Sequence, residues 1–115
     1  MSIVVIGVNH RTGPLDLLER VAVPRDALGK AITGLVSRAN VREAVVLSTC
    51  NRTEVYAVAE KFHGAYADIR DFFCELGGLH ADDLHPHLYS QHDDAAVEHL
   101  FSVASGLESA VLGES

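Results

Sequence analysis

The spacing of apolar residues predicts amphipathic helices in two parts of the chain. Between residues 25 and 39 the apolar positions recur on one face of an α-helix. That face comprises Leu28, Ala31, Ile32, Leu35, Val36 and Ala39. A second helix is marked by Tyr66, Ile69, Phe72, Phe73 and Leu76, and the pair Gly77-Gly78 ends it. A short helical turn is also expected over residues 15–21.

Short continuous apolar runs predict strands around these helices. Residues 3–8 form the first and 44–47 the second, and a strand over 53–59 returns beside the second as a hairpin. The polar, His-rich stretch that follows has room for one more short strand around Leu88 and Tyr89. With a last helix over about 94–112, the order is β-α-β-β-α-(β)-α. We therefore predict an α+β fold: a ferredoxin-like split βαββαβ antiparallel sheet with an additional C-terminal helix.

The predicted last helix has two unlike sides. One side is apolar and comprises Val97, Leu100, Phe101, Ala104, Leu107 and Val111. The other comprises His99, Ser102, Gly106 and Ser109, where a solvated helix would carry Lys, Arg or Glu. A mid-helix glycine costs about 1 kcal/mol relative to alanine, so close approach by another group would account for Gly106. We predict that this side lines a site; a helix packed on both sides around a core histidine is the alternative.

Composition and charge limit the class of protein. A length of 115 residues with 48% apolar and 22% charged residues indicates one globular domain. No apolar run approaches the roughly 18 residues of a membrane span, and the first residues lack the features of a signal peptide. Two cysteines are too few for a disulfide framework and favour a cytoplasmic location. The net charge of −7, taken alone, argues against a nucleic-acid partner.

Cys50 is the candidate nucleophile of the chain. It lies where a buried strand ends and a polar loop begins, so its sulfur can be held rigidly and still be reached. Arg52 can stabilise a nearby thiolate, and Thr49 and Asn51 can donate hydrogen bonds to an oxyanion or a substrate carboxylate. The alternative is a structural cysteine that closes a strand.

Other residues with possible chemistry favour simpler interpretations. His80, His85, His87 and His92 match no common zinc spacing, so no metal site is predicted. Cys74 lies among helical phenylalanines and is predicted to pack in the core. No glycine-rich phosphate loop follows a strand, so no nucleotide site is predicted in this chain.

Three segments of the sequence together resemble the signature blocks of the glutamyl-tRNA reductase family. They are Gly7 to Pro14 (GVNHRTGP), Leu47 to Tyr56 (LSTCNRTEVY) and His99 to Glu114 (HLFSVASGLESAVLGE). The resemblance covers nearly all of the chain in the family's order, and the block around Cys50 is the most specific.

The resemblance implies a covalent mechanism in which Cys50 is the nucleophile. Cys50 would attack the ester carbonyl of glutamyl-tRNA and form a thioester, which hydride from NADPH reduces to glutamate-1-semialdehyde for tetrapyrrole (porphyrin, 5-aminolevulinate) biosynthesis. His99 would orient the substrate or exchange protons beside the sulfur. The substrate-binding residues implied in this way are Thr49, Asn51, Arg52, Ser109 and Glu114. Asn9 and His10 match a loop that borders the pocket, and Glu54 matches a motif carboxylate that could hold Arg52 in place.

The resemblance also implies partners and further domains. Family members continue into an NADPH-binding domain and a helical dimerisation domain, so residues 1–115 are expected to be the N-terminal catalytic domain alone, with no cofactor site of its own. A homodimer of the full protein and channelling to glutamate-1-semialdehyde aminotransferase are expected on the same basis. One departure concerns Leu18 before Glu19, where members often have arginine, and it puts in doubt a substrate contact at that position.

Two other functions compete with the reductase. The first is a non-catalytic ferredoxin-like ligand-binding or regulatory module in which Cys50 is structural; thiol reactivity would distinguish it. The second is a thiol hydrolase unrelated to tRNA, which is disfavoured because the sequence shows no carboxylate that would orient His99.

Overall fold

A computed structural model describes residues 1–111, and describes side chains through residue 106. The strands are β1 (Ser2–Asn9), β2 (Glu43–Ser48), β3 (Arg52–Ala59) and β4 (Tyr89–His92). The helices are α1 (Leu15–Val21), α2 (Leu28–Val36), α3 (Phe62–Gly77), α4 (Ala81–Leu84) and α5 (Asp94–Val111). Short 3-10 turns occupy Arg25–Ala27 and His85–His87.

The four strands form one sheet in the order β2-β3-β1-β4, and every neighbouring pair is antiparallel. The central pair, β1 and β3, is in register along the full length of both strands, with Val4 opposite Ala57 and Gly7 opposite Glu54. The predicted α+β class with an antiparallel sheet is therefore confirmed. The short strand predicted around Leu88 and Tyr89 is β4, which lies along β1.

One face of the sheet carries the main apolar core. Because side chains alternate along a strand, Val4, Ile6 and Val8 of β1 point to the same face as Val55 and Ala57 of β3. Helices α1, α2 and α3 cover this face with buried side chains that include Leu17, Val21, Leu35, Ile69 and Phe73. Of the apolar residues whose spacing predicted α2 and α3, this core buries Ala31, Leu35, Ile69 and Phe73.

Helix α5 lies against the opposite face of the sheet. Among its side chains through residue 106, Ala96 and Val103 are buried, and Ala96 clusters with Val5 and Tyr56 from the two central strands. The apolar residues Val97, Leu100 and Phe101 remain exposed. The helix therefore turns its His99 side, rather than its most apolar side, toward the sheet.

Two helix boundaries differ from the prediction. The helix predicted over residues 25–39 begins as a 3-10 turn and is α-helical only over Leu28–Val36. Ala27 breaks the regular geometry, with φ −101° and ψ −4°, and after Val36 the Ser37 hydroxyl donates to the Gly34 carbonyl. Helix α3 begins at Phe62, earlier than its first apolar marker, and its predicted end is confirmed because Gly78 adopts φ +64° just past the last turn.

Within residues 1–111 no helix is both long enough and apolar enough to cross a membrane.

Candidate active site

The polar end of the sheet gathers most of the predicted site residues. The β2–β3 hairpin turns through Cys50 and Asn51, and the Thr49 amide donates to the Arg52 carbonyl at 2.8 Å to close it. The amide of His10 donates to the Asn51 carbonyl at 2.9 Å, which ties the loop after β1 to this turn. The C-terminal half of the described part of α5 completes the site from above the sheet.

Two clefts lie at this end of the sheet, with volumes of about 290 and 210 Å³. They share His10, Arg52, Ser102 and Val103 as lining residues. The larger cleft adds Asn9, Arg11 and His99, and the smaller adds Thr49, Asn51 and Gly106. Of the helix side predicted to line a site, His99, Ser102 and Gly106 line these clefts, and Ser109 lies outside the residues whose side chains are described.

The loop after β1 is shaped by Asn9. Its side-chain oxygen accepts hydrogen bonds from the amides of Arg11 at 2.9 Å and Thr12 at 3.1 Å. This is an Asx-type turn, which lets the chain reverse without further secondary structure. The turn holds His10 and Arg11 at the mouth of the larger cleft.

Cys50 is exposed at the tip of the β2–β3 turn, and its thiol is free. Its neighbours Thr49 and Asn51 line the smaller cleft, and the Thr49 hydroxyl accepts a hydrogen bond from the Asn51 amide at 3.1 Å. The sulfur is therefore accessible on a turn whose backbone is fixed. Cys74 is half-buried in α3, where burial raises the pKa of its thiol. Exposure favours Cys50 as the reactive cysteine, and the raised pKa of the Cys74 thiol disfavours Cys74.

Glu54 lies beneath these clefts and is fully buried. Its Oε1 accepts a hydrogen bond from the Tyr56 hydroxyl at 2.8 Å. Its Oε2 accepts from the Tyr89 hydroxyl and from His99 Nε2, the latter at 2.5 Å. Arg52 Nη1 lies 3.3 Å from the same oxygen. A buried carboxylate is stable only when its oxygens are satisfied in this way.

These contacts determine the ionisation of the cluster. Burial of the Glu54 carboxyl opposes its ionisation, but hydrogen bonds from Tyr89, His99 and Tyr56 outweigh burial, so the pKa of Glu54 is lowered. Burial and the hydrogen bond to Glu54 raise the pKa of Tyr56 and of Tyr89. Glu54 is therefore an anion that only accepts, and both tyrosines keep their protons and donate.

Most of the predicted site residues line the clefts, and two lie outside the described side chains. Thr49, Asn51, Arg52 and His99 line the clefts, and Cys50 lies on the turn between two lining residues. Asn9 and His10, predicted to border the pocket, line the larger cleft. Ser109 and Glu114 lie outside the residues whose side chains are described. The individual roles given to all these residues stay predictions.

Sequence reasoning missed the tyrosines of the cluster and the partner of His99. The thiol hydrolase unrelated to tRNA is disfavoured above because the sequence shows no carboxylate that would orient His99. That premise is wrong, because Glu54 contacts His99 Nε2 directly. Glu54 and Tyr56 are two residues apart in β3 and therefore lie on the same face of the strand. Their spacing in the sequence could have indicated that they are neighbours. Tyr89 could not be found in this way, since its pairing through β1 depends on the sheet order.

Two of the other histidines, His87 and His85, form hydrogen bonds away from the clefts. His87 Nδ1 donates to the Thr12 carbonyl at 2.8 Å, and His85 Nδ1 shares a hydrogen bond with the Tyr66 hydroxyl at 2.8 Å. Among the side chains that the structure describes, through residue 106, no three His, Cys, Asp or Glu converge as metal ligands would.

NADPH is a poor fit to the described part of the chain. Dinucleotides bind in α/β folds at the carboxyl ends of parallel strands. Every strand pair in residues 1–111 is antiparallel, so we assign no NADPH site to these residues.

Comparison with known proteins gives one consistent result. A profile of the glutamyl-tRNA(Glu) reductase N-terminal domain matches residues 6–115. Glutamyl-tRNA reductases from Frankia alni and Acidothermus cellulolyticus are 53% and 46% identical to the chain over 100% and 99% of its length, and each match covers 24% of the relative. The solved glutamyl-tRNA reductase from Methanopyrus kandleri matches 92% of the chain and 23% of its own at 30% identity, with a TM-score of 0.63. The chain thus spans about a quarter of the length of these relatives.

Proposed function

Because the chain belongs to the glutamyl-tRNA reductase N-terminal domain family, we propose that it is the thioester-forming part of a glutamyl-tRNA reductase. The observation that carries the proposal is the convergence of Thr49, Arg52 and His99 on clefts beside the exposed thiol of Cys50. The activity of the whole protein, proposed on the same basis, is NADPH-dependent reduction of glutamyl-tRNA to glutamate-1-semialdehyde for tetrapyrrole synthesis.

The proposed step assigned to this chain is acyl transfer. The Cys50 thiolate attacks the ester carbonyl of glutamyl-tRNA, the carbon–sulfur bond forms and the bond to the ribose oxygen breaks. The ribose oxygen leaves with a proton, and His99, which lines the larger cleft, is the residue proposed to donate it. The hydride that converts a thioester to an aldehyde comes from NADPH in the family, and no residue of this chain is assigned to that cofactor.

Recognition of the glutamyl group is proposed for the cationic and hydroxyl groups of the clefts. The Arg52 guanidinium has five N–H donors, and Nη1 alone is directed at Glu54. The remaining donors can form the paired contacts that a carboxylate accepts. Asn51 and the Thr49 hydroxyl are available at the same cleft. Ser109 and Glu114 are retained as substrate-binding residues on the family resemblance alone.

Several further proposals rest on family membership. They are that residues 1–115 form the catalytic domain of a longer protein, that this protein is a homodimer in the cytoplasm, and that it passes its product to glutamate-1-semialdehyde aminotransferase. With a net charge of −7, the chain is a poor electrostatic match to a phosphate backbone, so we propose that most of the tRNA contacts lie elsewhere in the full protein.

We also propose the ferredoxin-like split βαββαβ description for the sheet. It is supported by the order β2-β3-β1-β4, in which β3 lies between β1 and β2 and helices connect both crossovers. Helix α5 is then the additional C-terminal helix.

Family membership favours the reductase over the non-catalytic module, and one reaction tests it. The chain is incubated with glutamyl-tRNA and digested, and Cys50 peptides are analysed by mass spectrometry. A glutamyl adduct on Cys50 is expected in the wild type and in Cys74→Ser, and is expected to be missing from Cys50→Ser. If the chain is folded and no adduct forms, the same test on the full-length protein decides. Absence of the adduct there too would reject the proposal.

A further inference from the structure

The contact between Glu54 and His99 restricts which imidazole nitrogen faces the cleft. Nε2 lies 2.5 Å from Glu54 Oε2, and a carboxylate with a lowered pKa accepts hydrogen bonds and does not donate them. Nε2 must therefore carry the proton. A neutral imidazole has one protonated nitrogen, so Nδ1 is left as an acceptor. Among the described residues no group hydrogen-bonds to Nδ1.

We propose that Glu54 is the positioning residue that holds His99 as its Nε2–H tautomer, so that Nδ1 faces the cleft as a hydrogen-bond acceptor. The inference deepens the proposed function and rests on it for the identity of the molecule that Nδ1 meets. The tautomer itself depends only on the chain. Glu54 touches no substrate in this account; it acts through His99.

The surroundings of Glu54 are built to hold the carboxylate in place. The Tyr56 and Tyr89 hydroxyls bind its two oxygens from β3 and β4, which fixes the plane of the carboxylate. Gly7 lies opposite Glu54 in β1, and a Cβ at that position would lie 2.8 Å from Glu54 Cγ and 2.7 Å from the Thr53 carbonyl oxygen. Only glycine at this position leaves room for the Glu54 side chain. Gly7, the first residue of the segment Gly7 to Pro14, therefore has a role at the site.

The arrangement has a direct consequence for proton transfer. A thiol or hydroxyl in the cleft donates its proton to Nδ1, and the imidazole becomes a cation that carries a proton on each nitrogen. Glu54 stays ionised and stabilises that cation at short range, as the carboxylate does in a Ser-His-Asp triad. The cation then returns the Nδ1 proton to a leaving oxygen. His99 thereby serves as base first and as acid second with no change at Glu54.

Nitrogen NMR of the histidine side chains tests the tautomer without any substrate. The chain is labelled with 15N-histidine, and long-range 1H–15N spectra are recorded at a pH high enough for neutral imidazole to dominate. A His99→Gln variant assigns the signal among the seven histidines. The expected pattern is a pyrrole-like Nε2 and a pyridine-like Nδ1. The reverse pattern, with the proton on Nδ1, would overturn the proposal.

Two substitutions test the charge and the length of the Glu54 side chain, both of which the proposed role requires. Glu54→Gln removes the charge and can donate as well as accept, and Glu54→Asp keeps the charge but is shorter by one methylene. Both are expected to shift His99 toward a mixture of tautomers. Glu60→Gln, which removes an exposed carboxylate that pairs with Arg42 just after the far end of β3, is expected to keep the wild-type pattern. A folded Glu54→Gln chain with an unchanged pattern would reject the role of Glu54.

The wild-type spectrum keeps the test decisive if the substitutions prevent folding. The outcome is also independent of the thioester assay. An Nδ1–H pattern together with a glutamyl adduct on Cys50 would remove this inference and leave the proposed function intact. The expected tautomer pattern without a glutamyl adduct would keep the role of Glu54 and count against the proposed function.

Discussion

The two faces of the sheet are built from the same strands but differ in what they bury. Along β3, Val55 and Ala57 point into the core under α1, α2 and α3, whereas Glu54 and Tyr56 point toward α5. The first face buries apolar side chains almost throughout. The second buries an ionised carboxylate and leaves apolar residues of α5 exposed.

This difference separates stability from chemistry within one strand. Apolar burial contributes about 25 cal/mol per Å². The face under α1, α2 and α3 therefore supplies most of the folding free energy. A buried ion pair contributes little net stability, because desolvation offsets attraction, but removing one partner is costly. The Glu54 cluster is therefore better explained by its effect on His99 and Arg52 than by a gain in stability.

The largest expected effect is a loss of stability on the apolar face of the sheet. Phe73 is fully buried beneath the sheet and Phe101 is 68% exposed on α5. Phe73→Ala is expected to lower the free energy of unfolding by about 3–5 kcal/mol, through lost burial and a cavity. Phe101→Ala is expected to change it by no more than about 0.5 kcal/mol. Urea titrations of the two variants provide the check, and equal losses would show that the two faces are not distinct.

A smaller effect concerns the stability of the polar face in acid. The pKa of Glu54 is lowered in the folded chain from its ordinary value of 4.5, so its contribution to stability is present above that pH and lost as pH falls through the lower, folded-state pKa. Between pH 7 and pH 3, Glu54→Gln is expected to lose less stability than the wild type. Urea midpoints across this range measure the slope.

Glu60→Gln is the matched control for the acid experiment, since Glu60 is exposed and pairs with Arg42. It should follow the wild-type slope. If Glu54→Gln lost stability in acid as steeply as the wild type, the ionised, hydrogen-bonded state of Glu54 would be contradicted.

Much of the fold follows from local pattern. The alternation and apolar runs of β1, β2 and β3, and the Gly77-Gly78 stop, are signals within a few residues of the elements they define. The short strand β4 was harder to delimit, because its residues Tyr89–His92 are polar and its pairing partner lies far away in sequence. The shortened helix at Leu28–Val36 reflects backbone geometry at Ala27 that apolar spacing does not encode.

The site was predictable residue by residue but not as a network. Cys50, Arg52 and His99 were identified from their neighbours and from the family resemblance. The link from His99 to Glu54 joins residues 45 positions apart, and the link to Tyr89 crosses from β3 to β4. Such contacts depend on strand order and on which side of α5 meets the sheet, and both are tertiary features.

The most direct test of this account measures acyl transfer and stability in one variant. Single-turnover transfer of glutamate from glutamyl-tRNA to Cys50 is compared between the wild type and Glu54→Gln near neutral pH, with the free energy of unfolding of both. Transfer is expected to fall on the order of 100-fold in Glu54→Gln, with a loss of stability smaller than that of Phe73→Ala. Unchanged transfer in a folded Glu54→Gln protein would contradict the claim that the buried carboxylate serves the chemistry of this face.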